Sequence, residues 1–219
     1  MTEITLLYED PSVWIYNKPA GVSLLRDRSG ANDVWTELKS GPKPYLVHRL
    51  DKGTSGVLLV AKDQSTQSRL TRMFAQRTVS KHYLAWVEGT VPEGTREIDL
   101  PLCKGRKNRY RIAGNRSDIR FVDGRYHVRQ DRDGVPARTL IRPIGARLGK
   151  TLLLIKPLTG RTHQIRVHLG WLGWPITGDR LYNPAARSMP VDRMFLHARS
   201  LRVPGLPRCK APVPSEFEI

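Results

Sequence analysis

The segment from His48 to Lys62, HRLDKGTSGVLLVAK, carries the residues whose types and spacing best suit chemistry. Its one acidic side chain, Asp51, is followed by a turn rich in glycine and small polar residues, Gly53 to Gly56. The apolar run Val57 to Ala61 comes next, which is too short to cross a membrane and is typical of a strand buried on both faces. A carboxylate on a bend before such a strand is held rigidly, as catalysis requires. The alternative is that Asp51 only caps its own turn, as aspartates often do.

Three kinds of site can be built from the ionisable residues. A metal site would use His48, His163 and His168, but their spacing gives no HxxxH or HExxH pair and no cysteine pair accompanies them. A hydrolytic pair of carboxylates would need a second acid near Asp51, and the next one, Asp63, suits a helix N-cap. The third site uses a single carboxylate, kept ionised by an arginine and aided by an aromatic ring, and it needs no metal. That site suits chemistry at the glycosidic bond of a nucleotide.

The charge of the chain indicates a polyanionic partner. The 219 residues carry 37 Lys and Arg against 20 Asp and Glu, a formal net charge of +17. Between Pro101 and Trp171 the sequence has 17 Lys and Arg and 4 Asp, an excess of 13 positive charges. Such a stretch repels itself unless it meets a polyanion, which favours nucleic acid over a protein that is simply basic. Its most basic run, Lys104 to Arg111, surrounds Tyr110 and can contact phosphates and stack on a base, or remain a solvated loop.

Composition bounds the class of protein. A hydrophobic content of 39% fits a folded chain of one domain, or of one domain with two lobes. Cys103 and Cys209 form no CxxC pair, which excludes a zinc ribbon and a disulfide framework and suits a reducing cytosol. The start lacks the pattern of a signal peptide, and no run approaches the roughly 18 apolar residues of a membrane span. We therefore expect a cytoplasmic protein with no membrane partner, and a monomer because no spare apolar helix face is evident.

The remaining pattern predicts the elements that position these residues. In the helix that begins after Asp63, Leu70, Met73 and Phe74 form one apolar stripe. In the strand 81–87, Tyr83 stands at the end of a core-facing row. The predicted elements are a hairpin of residues 4–8 and 13–16, a polar loop at 26–31, a short helix around Val34 and Leu38, a helix from Asp63 to about Arg77, strands at 81–87, 98–102, 119–122, 126–129 and 151–155, and a turn at 195–198 before a strand at 201–203.

A second helix is predicted after Thr159-Gly160-Arg161-Thr162, with Thr159 or Thr162 as its N-cap. Its buried stripe consists of Ile165, Leu169 and Leu172. Arg166 lies one residue beyond Ile165, on the shoulder of this stripe and near the helix start, where exposed N–H groups favour an anion.

Several blocks of residues together resemble the motifs of the RluA-type pseudouridine synthases. The longest is His48-Arg49-Leu50-Asp51-x-x-Thr54-Ser55-Gly56, continued by Ala61-Lys62. The others, in the order that the family has, are Asn17-Lys18-Pro19-Ala20-Gly21, Lys81-x-Tyr83-x-Ala85-x-Val87-x-Gly89, LTGRTHQIRVH from Leu158 to His168, Gly178-Asp179-x-x-Tyr182 and Leu196-His197-Ala198. Because these blocks span nearly the whole chain, they are far more specific than a single short glycine motif.

This resemblance implies an isomerase that converts a uridine in structured RNA, either rRNA or tRNA or both, to pseudouridine without a cofactor or a metal. Asp51 matches the catalytic carboxylate, which drives cleavage of the bond between ribose and base before the base rotates and rejoins through a ring carbon. Tyr83 matches the tyrosine that stacks on the target base, and Arg166 matches the arginine that pairs with the carboxylate. The implied substrate-binding residues are Arg49, Leu196 and Lys18. The uridine must leave its stack to reach Asp51, so base flipping is expected.

The fold implied by the resemblance is α+β, with a mixed, mostly antiparallel central sheet, flanking helices and a long RNA-binding cleft. We expect residues 1–219 to form a single catalytic domain, without the N-terminal RNA-binding module that many relatives carry. Where relatives often show Gly-Lys-x-Ala-x-Thr, the chain has GVPART at residues 134–139, and the stretch from Lys104 does not align, which leaves the substrate open. An RNA-binding protein without catalysis, acting for instance in ribosome assembly, is the alternative. It needs the basic surface but not Asp51.

Overall fold

The computed structural model describes residues 3–24, 34, 45–106, 109–188 and 193–218. In chain order the strands are β1 (Thr5–Glu9), β2 (Val13–Lys18), β3 (Tyr45–Leu46), β4 (Ser55–Ala61), β5 (Ser80–Glu88), β6 (Arg96–Asp99), β7 (Leu102–Lys104), β8 (Tyr110–Ile112), β9 (Arg120–Val122), β10 (Arg125–His127), β11 (Arg138–Arg147), β12 (Lys150–Pro157), β13 (Leu196–Arg202) and β14 (Cys209–Lys210). The α-helices of these ranges are α1 (Gln64–Ala75) and α2 (Gln164–Trp171). The α+β class with a mixed, mostly antiparallel sheet is confirmed.

The chain divides into two compact units, Met1–Lys81 with Leu196–Pro214 and His82–Phe195 with Ser215–Ile219. The polar loop predicted at 26–31 and most of the short helix predicted around Val34 and Leu38 lie outside the described residues, although Val34 itself is buried. None of the helices in the described ranges is long and apolar enough to cross a membrane.

The first unit is built on β4, which is buried along its whole length, as the unbroken apolar run predicts. One edge of β4 pairs with antiparallel β2, which in turn pairs with β1, so the predicted hairpin is confirmed. The other edge is shared by two short pairings, parallel with β13 at Ser55 and Gly56 and antiparallel with β3 at Val60 and Ala61. The backbone of β4 between these two pairings therefore needs another partner.

Helix α1 covers the core of the first unit. It begins after Asp63, whose carboxylate accepts a hydrogen bond from the N–H of Thr66 at 2.8 Å, as expected for an N-cap. Leu70 is fully buried, and Met73 and Phe74 pack against the core of this unit, which confirms the apolar stripe. The core contains Val13, Ile15, Val47, Val57, Leu59, Ala61, Leu70, Leu201, Val203, Cys209 and Ala211.

In the second unit, the strand order is β5, β12, β11, β6, β10, β9, and β7 pairs with β8 in a separate small sheet. The single strand predicted at 98–102 is wrong, because Leu100 and Pro101 separate β6 in the large sheet from β7 in the small one. A proline has no N–H for a central ladder, which accounts for the break. The turn predicted at 195–198 is also wrong, since β13 begins at Leu196.

Helix α2 begins at Gln164, but neither predicted threonine is its N-cap. That position is held by His163, whose backbone has a φ of 56° and whose side chain makes no capping bond. The Thr159 hydroxyl instead donates to Oε1 of Gln164 at 2.6 Å, and the same oxygen accepts from the N–H of Arg161 at 3.0 Å. The side chain of Gln164, inside the helix, thus accepts hydrogen bonds from two donors of the loop that precedes the helix.

Candidate active site

Asp51 lies in a turn that leads directly into β4. Its backbone carbonyl accepts a hydrogen bond from the N–H of Thr54 at 2.9 Å, which closes the turn. The next carbonyl, of Lys52, accepts from the N–H of Gly21 at 2.8 Å. Asp51 is partly exposed, whereas Thr54 and Ser55 are buried. The carboxylate is therefore carried by a backbone that is fixed on both sides and ends in a buried strand, as predicted.

Lys18 is fully buried beneath this turn. Its Nζ donates to the carbonyls of Pro19 and Val22, each at 2.8 Å, and to that of Lys52 at 3.4 Å. The expectation that Lys18 contacts RNA is therefore corrected, because an ammonium in this position is not exposed to a solvent-borne partner. Its three bonds tie the chain around Pro19 to the turn that carries Asp51.

His48 fixes the segment from the other side. Its Nε2 accepts a hydrogen bond from the N–H of Leu59 at 3.0 Å, which supplies the partner that β4 lacks between its two short pairings. The ring stacks on Phe74, with centroids 4.9 Å apart. Desolvation, assisted by the charge of Lys81, lowers the pKa of His48 to about 3, so the ring is neutral and Nε2 can accept. Arg49, between His48 and Asp51, is exposed.

Strand β13 begins beside the same turn. His197 and Ala198 pair with Ser55 and Gly56 of β4, and the Ser55 hydroxyl bonds Nδ1 of His197 at 2.9 Å. Gly56 has a φ of 109°, and a Cβ there would lie 2.2 Å from the carbonyl oxygen of Ala198, so only glycine permits this approach. Leu196, buried at the start of β13, precedes the paired positions and lies next to Thr54 in register.

Tyr83 lies on β5 and is buried. Its backbone is paired with Ile155, at the end of the pairing between β5 and β12, as the sequence predicts. The opposite row of β5, with Leu84 and Trp86, is buried as well, so this strand has no solvent-facing side along its centre.

Arg166 is held by an ion pair within the second unit. Its Nε donates to Oδ2 of Asp179 at 2.8 Å and its Nη2 donates to Oδ1 at 2.9 Å. The Asp179 side chain is 1% exposed, and Oδ1 also accepts from the N–H groups of Leu181 and Tyr182. The Tyr182 ring lies 5.1 Å from the guanidinium carbon. Bidentate contact with a buried carboxylate fixes both the rotamer and the plane of the guanidinium.

The hydroxyl of Tyr182 extends this arrangement to the basic segment. It accepts a hydrogen bond from the N–H of Tyr110 at 2.9 Å and is bonded to Nδ1 of His163 at 2.9 Å. Tyr110, predicted to stack on a base, packs edge-on against His163 with centroids 5.8 Å apart. Sequence reasoning noted the block that contains Asp179 and Tyr182 but gave these residues no role.

The three histidines considered for a metal do not form a site. His168 is fully buried, with Nε2 bonded to the carbonyl of Leu100 and Nδ1 to the hydroxyl of Thr139, both at 2.9 Å. Burial lowers its pKa to about 4, so this histidine is neutral too. Within the ranges that the structure describes, no group of three or more His, Cys, Asp and Glu side chains is placed to hold a metal ion.

The predicted residues are thus distributed over both units. The first unit contains Lys18, Arg49, Asp51 and Leu196, and the second contains Tyr83 and Arg166. In the first unit, Lys18 bonds directly to the Asp51 turn and the start of β13 lies beside the end of that turn.

Comparison with known proteins gives a consistent result. Residues 12–171 match the RNA pseudouridylate synthase family. An uncharacterised RNA pseudouridine synthase of Zymomonas mobilis is 36% identical, over 97% of this chain and 94% of that protein. The dual-specificity RNA pseudouridine synthase RluA of Escherichia coli is 34% identical, over 91% of this chain and 86% of that protein. The ribosomal large subunit pseudouridine synthase C of Vibrio parahaemolyticus is 33% identical, and this chain spans only 61% of its length.

A solved structure also resembles the chain. The human RNA pseudouridylate synthase domain containing 1 superposes with a TM-score of 0.79 at 27% identity, covering 99% of this chain and 85% of that one.

The chain belongs to the RNA pseudouridylate synthase family. Within the family, similarity over most of the chain places it among the RluA-type enzymes, which confirms the resemblance seen in the motifs. The predicted enzyme class, an isomerase, is confirmed with it.

Proposed function

We propose that this enzyme isomerises a specific uridine in structured RNA, with Asp51 as the catalytic carboxylate. The observation that carries the proposal is the Asp51 turn, fixed by backbone hydrogen bonds and by Lys18 at the start of a fully buried strand. The candidate substrates are rRNA and tRNA, because one similar protein is named for the large ribosomal subunit and another for dual specificity. A cytoplasmic enzyme acting as a monomer, with residues 1–219 as one catalytic domain, fits these substrates.

In the proposed reaction, the carboxylate of Asp51 supports cleavage of the bond between C1′ of the ribose and N1 of uracil. It does so as a nucleophile at C1′ or by stabilising the positive charge that develops there. The detached uracil turns, its C5 forms the new bond to C1′, the proton of C5 is lost to solvent, and N1 takes up a proton. No atoms are gained or lost overall, so the reaction needs no cofactor. The uridine reaches Asp51 by flipping out of its stack.

Arg166 orients Asp51 in this proposal. The resemblance implies this role for Arg166, and its bidentate ion pair with Asp179 supports the proposal by fixing the plane of the guanidinium. Asp179 is then a positioning residue, because it fixes the plane from which Arg166 acts. Tyr83 stacks on the flipped uracil, Leu196 packs beside it, and exposed Arg49 contacts the RNA backbone.

Release of tritium tests the proposal directly. Transcripts of rRNA and tRNA carrying tritium at C5 of uridine should lose label with the wild-type protein. Asp51→Asn should release none while binding RNA with nearly unchanged affinity, because the substitution removes only the charge of the carboxylate. Asp123→Asn is the matched control, an exposed turn aspartate, and should react like the wild type. If folded wild-type protein binds RNA but releases no label from any of these transcripts, the proposed catalysis is refuted and the protein is an RNA-binding protein without catalysis.

A further inference from the structure

A cluster of arginine side chains in the second unit lies at the C-terminal end of α2, the helix that carries Arg166. Two of its members contact Trp171, the last residue of α2. The guanidinium carbons of Arg111, on β8, and Arg116 each lie 5.5 Å from the centroid of the Trp171 ring. Nη2 of Arg116 donates to the carbonyl of Gly170 at 2.9 Å, which holds this side chain at the end of the helix. Arg109 precedes β8 by one residue and is two positions from Arg111. We name Arg109, Arg111 and Arg116 the arginine cluster.

The arginine cluster is not neutralised by acids. Throughout the described part of the chain, no carboxylate oxygen lies within 4.0 Å of these three guanidinium groups, whereas Arg125, Arg138 and Arg166 of the same unit each form an ion pair. Asp131 is the acid whose lowered pKa reflects Arg111, but the larger cause is the hydrogen bonds from Arg132 to both of its oxygens. Two guanidinium groups, those of Arg111 and Arg116, therefore lie at one aromatic ring without a carboxylate at ion-pair distance among the described residues.

Two donors of the cluster also lack an acceptor. The Nε atoms of Arg109 and Arg111 are buried from solvent and make no hydrogen bond in the described structure. Because solvent does not reach these two Nε atoms, the N–H groups of Arg109 and Arg111 that an outside anion can contact are those at the Nη ends of the guanidinium groups.

We infer that the arginine cluster binds phosphodiester groups of the RNA and that Trp171 holds two of its guanidinium groups in place. A guanidinium stacked on an indole keeps its N–H edges available, and their fork geometry matches two oxygens of a phosphate. The inference rests on the proposed function in one respect, since it takes the polyanion to be the RNA substrate. It adds to the sequence expectation for this segment an aromatic residue from α2, because Trp171 contacts two of the arginines. An acidic protein surface is the alternative ligand for the arginine cluster. Competition by an acidic polypeptide distinguishes this ligand from RNA.

The test is the binding of fluorescein-labelled oligouridylate of about 20 nucleotides, followed by fluorescence anisotropy over a range of salt concentrations. Arg111→Gln and Arg116→Gln should each weaken binding roughly tenfold, the effect of losing a hydrogen bond to a charged group. The slope of log affinity against log salt should become less steep by about 0.7 for each phosphate that the variant no longer neutralises. Arg111→Lys keeps the charge but not the planar fork, so it should retain the slope and still bind more weakly. Circular dichroism of each variant should match the wild type.

Arg147→Gln is the matched control, since it removes the same charge from an exposed position at the end of β11 and should leave both affinity and slope unchanged. Wild-type affinity and slope in the two glutamine variants would overturn the inference. So would competition by polyglutamate as strong as that by unlabelled oligouridylate at equal charge, because the occupant would then be an acidic protein. Asp51→Asn, measured alongside, should bind like the wild type without releasing tritium from C5-labelled transcripts. Arginine-dependent binding by a wild-type protein that releases no label would refute the proposed catalysis and support this inference.

Discussion

Replacing Asp179 by asparagine isolates the contribution of one buried charge to the orientation of Arg166. The substitution preserves the size of the side chain and one carbonyl oxygen, which can still accept from the N–H groups of Leu181 and Tyr182. It removes the negative charge and places an amide donor against an N–H of the guanidinium. Arg166 is then left with a charge that Asp179 no longer balances, in a place where its side chain is only 11% exposed.

Loss of one partner of a buried, hydrogen-bonded ion pair typically costs about 3–5 kcal/mol. Because asparagine keeps Oδ1, which accepts three of the four hydrogen bonds made to the Asp179 side chain, we expect the free energy of unfolding to fall by about 3 kcal/mol, the low end of that range. The rate of tritium release at saturating RNA should fall as well, since the guanidinium is no longer held in one plane. The affinity for RNA should change little, because Asp179 is buried.

Asp131→Asn is the matched control for this prediction. Asp131 also bonds its arginine neighbour through both oxygens, but it is exposed, so its loss should leave the free energy of unfolding close to the wild-type value. Urea unfolding of the two variants gives the stability difference, and label release gives the rates. Equal destabilisation by the two substitutions would refute the reasoning that burial gives the Asp179 pair its importance. Unchanged label release in folded Asp179→Asn would remove Asp179 as a positioning residue.

Two further predictions concern the supports of each unit. The pKa values of His48 and His168, about 3 and about 4, lie below the usual 6.5, so the unfolded chain binds protons first: the stabilisation is complete above about pH 6.5 and is lost as the pH falls. At pH 5, each histidine should therefore lower the free energy of unfolding by about 2 kcal/mol. Equal stability towards urea at pH 7 and pH 5 would contradict this. Lys18→Met should lower the unfolding free energy by about 2 kcal/mol, because the carbonyls of Pro19 and Val22 lose a charged donor, and should slow label release; wild-type stability and rate would show that the ammonium is dispensable.

Local signals explain which elements could be predicted from the sequence. The unbroken apolar run predicts β4, and the Asp63 cap with an apolar residue at 70 predicts α1, because each signal acts within a few residues. The parallel pairing of β13 with β4 joins positions 142 residues apart, as between Ser55 and His197, and no local pattern encodes it. Pro101 was visible in the sequence, but its consequence depends on two different sheets meeting at this residue.

In the candidate site, too, local signals predict some residues, and contacts between distant segments determine the others. The motif and the bend before β4 identify Asp51, because both are local. Lysine is almost never fully buried unless it is paired, so a contact with RNA was the natural prediction for Lys18. Its actual position depends on carbonyls from separate segments, one of them at Lys52, converging on a single ammonium. Asp179 was missed because 13 residues separate it from Arg166, and a spacing of that kind does not predict an ion pair.

Salt should affect the interactions of Arg166 and those of the arginine cluster differently. Arg166 is paired with a carboxylate that is 1% exposed, and such pairs are screened only weakly. The arginine cluster has no acid within ion-pair distance in the described residues, and its attraction for a phosphodiester depends on the release of counterions. Rising ionic strength should therefore weaken the proposed contact with RNA before it disturbs the ion pair between Arg166 and Asp179. Under the proposed roles, release of the modified RNA requires no rearrangement of the Arg166–Asp179 pair, because this pair and the contact with RNA depend on different arginines.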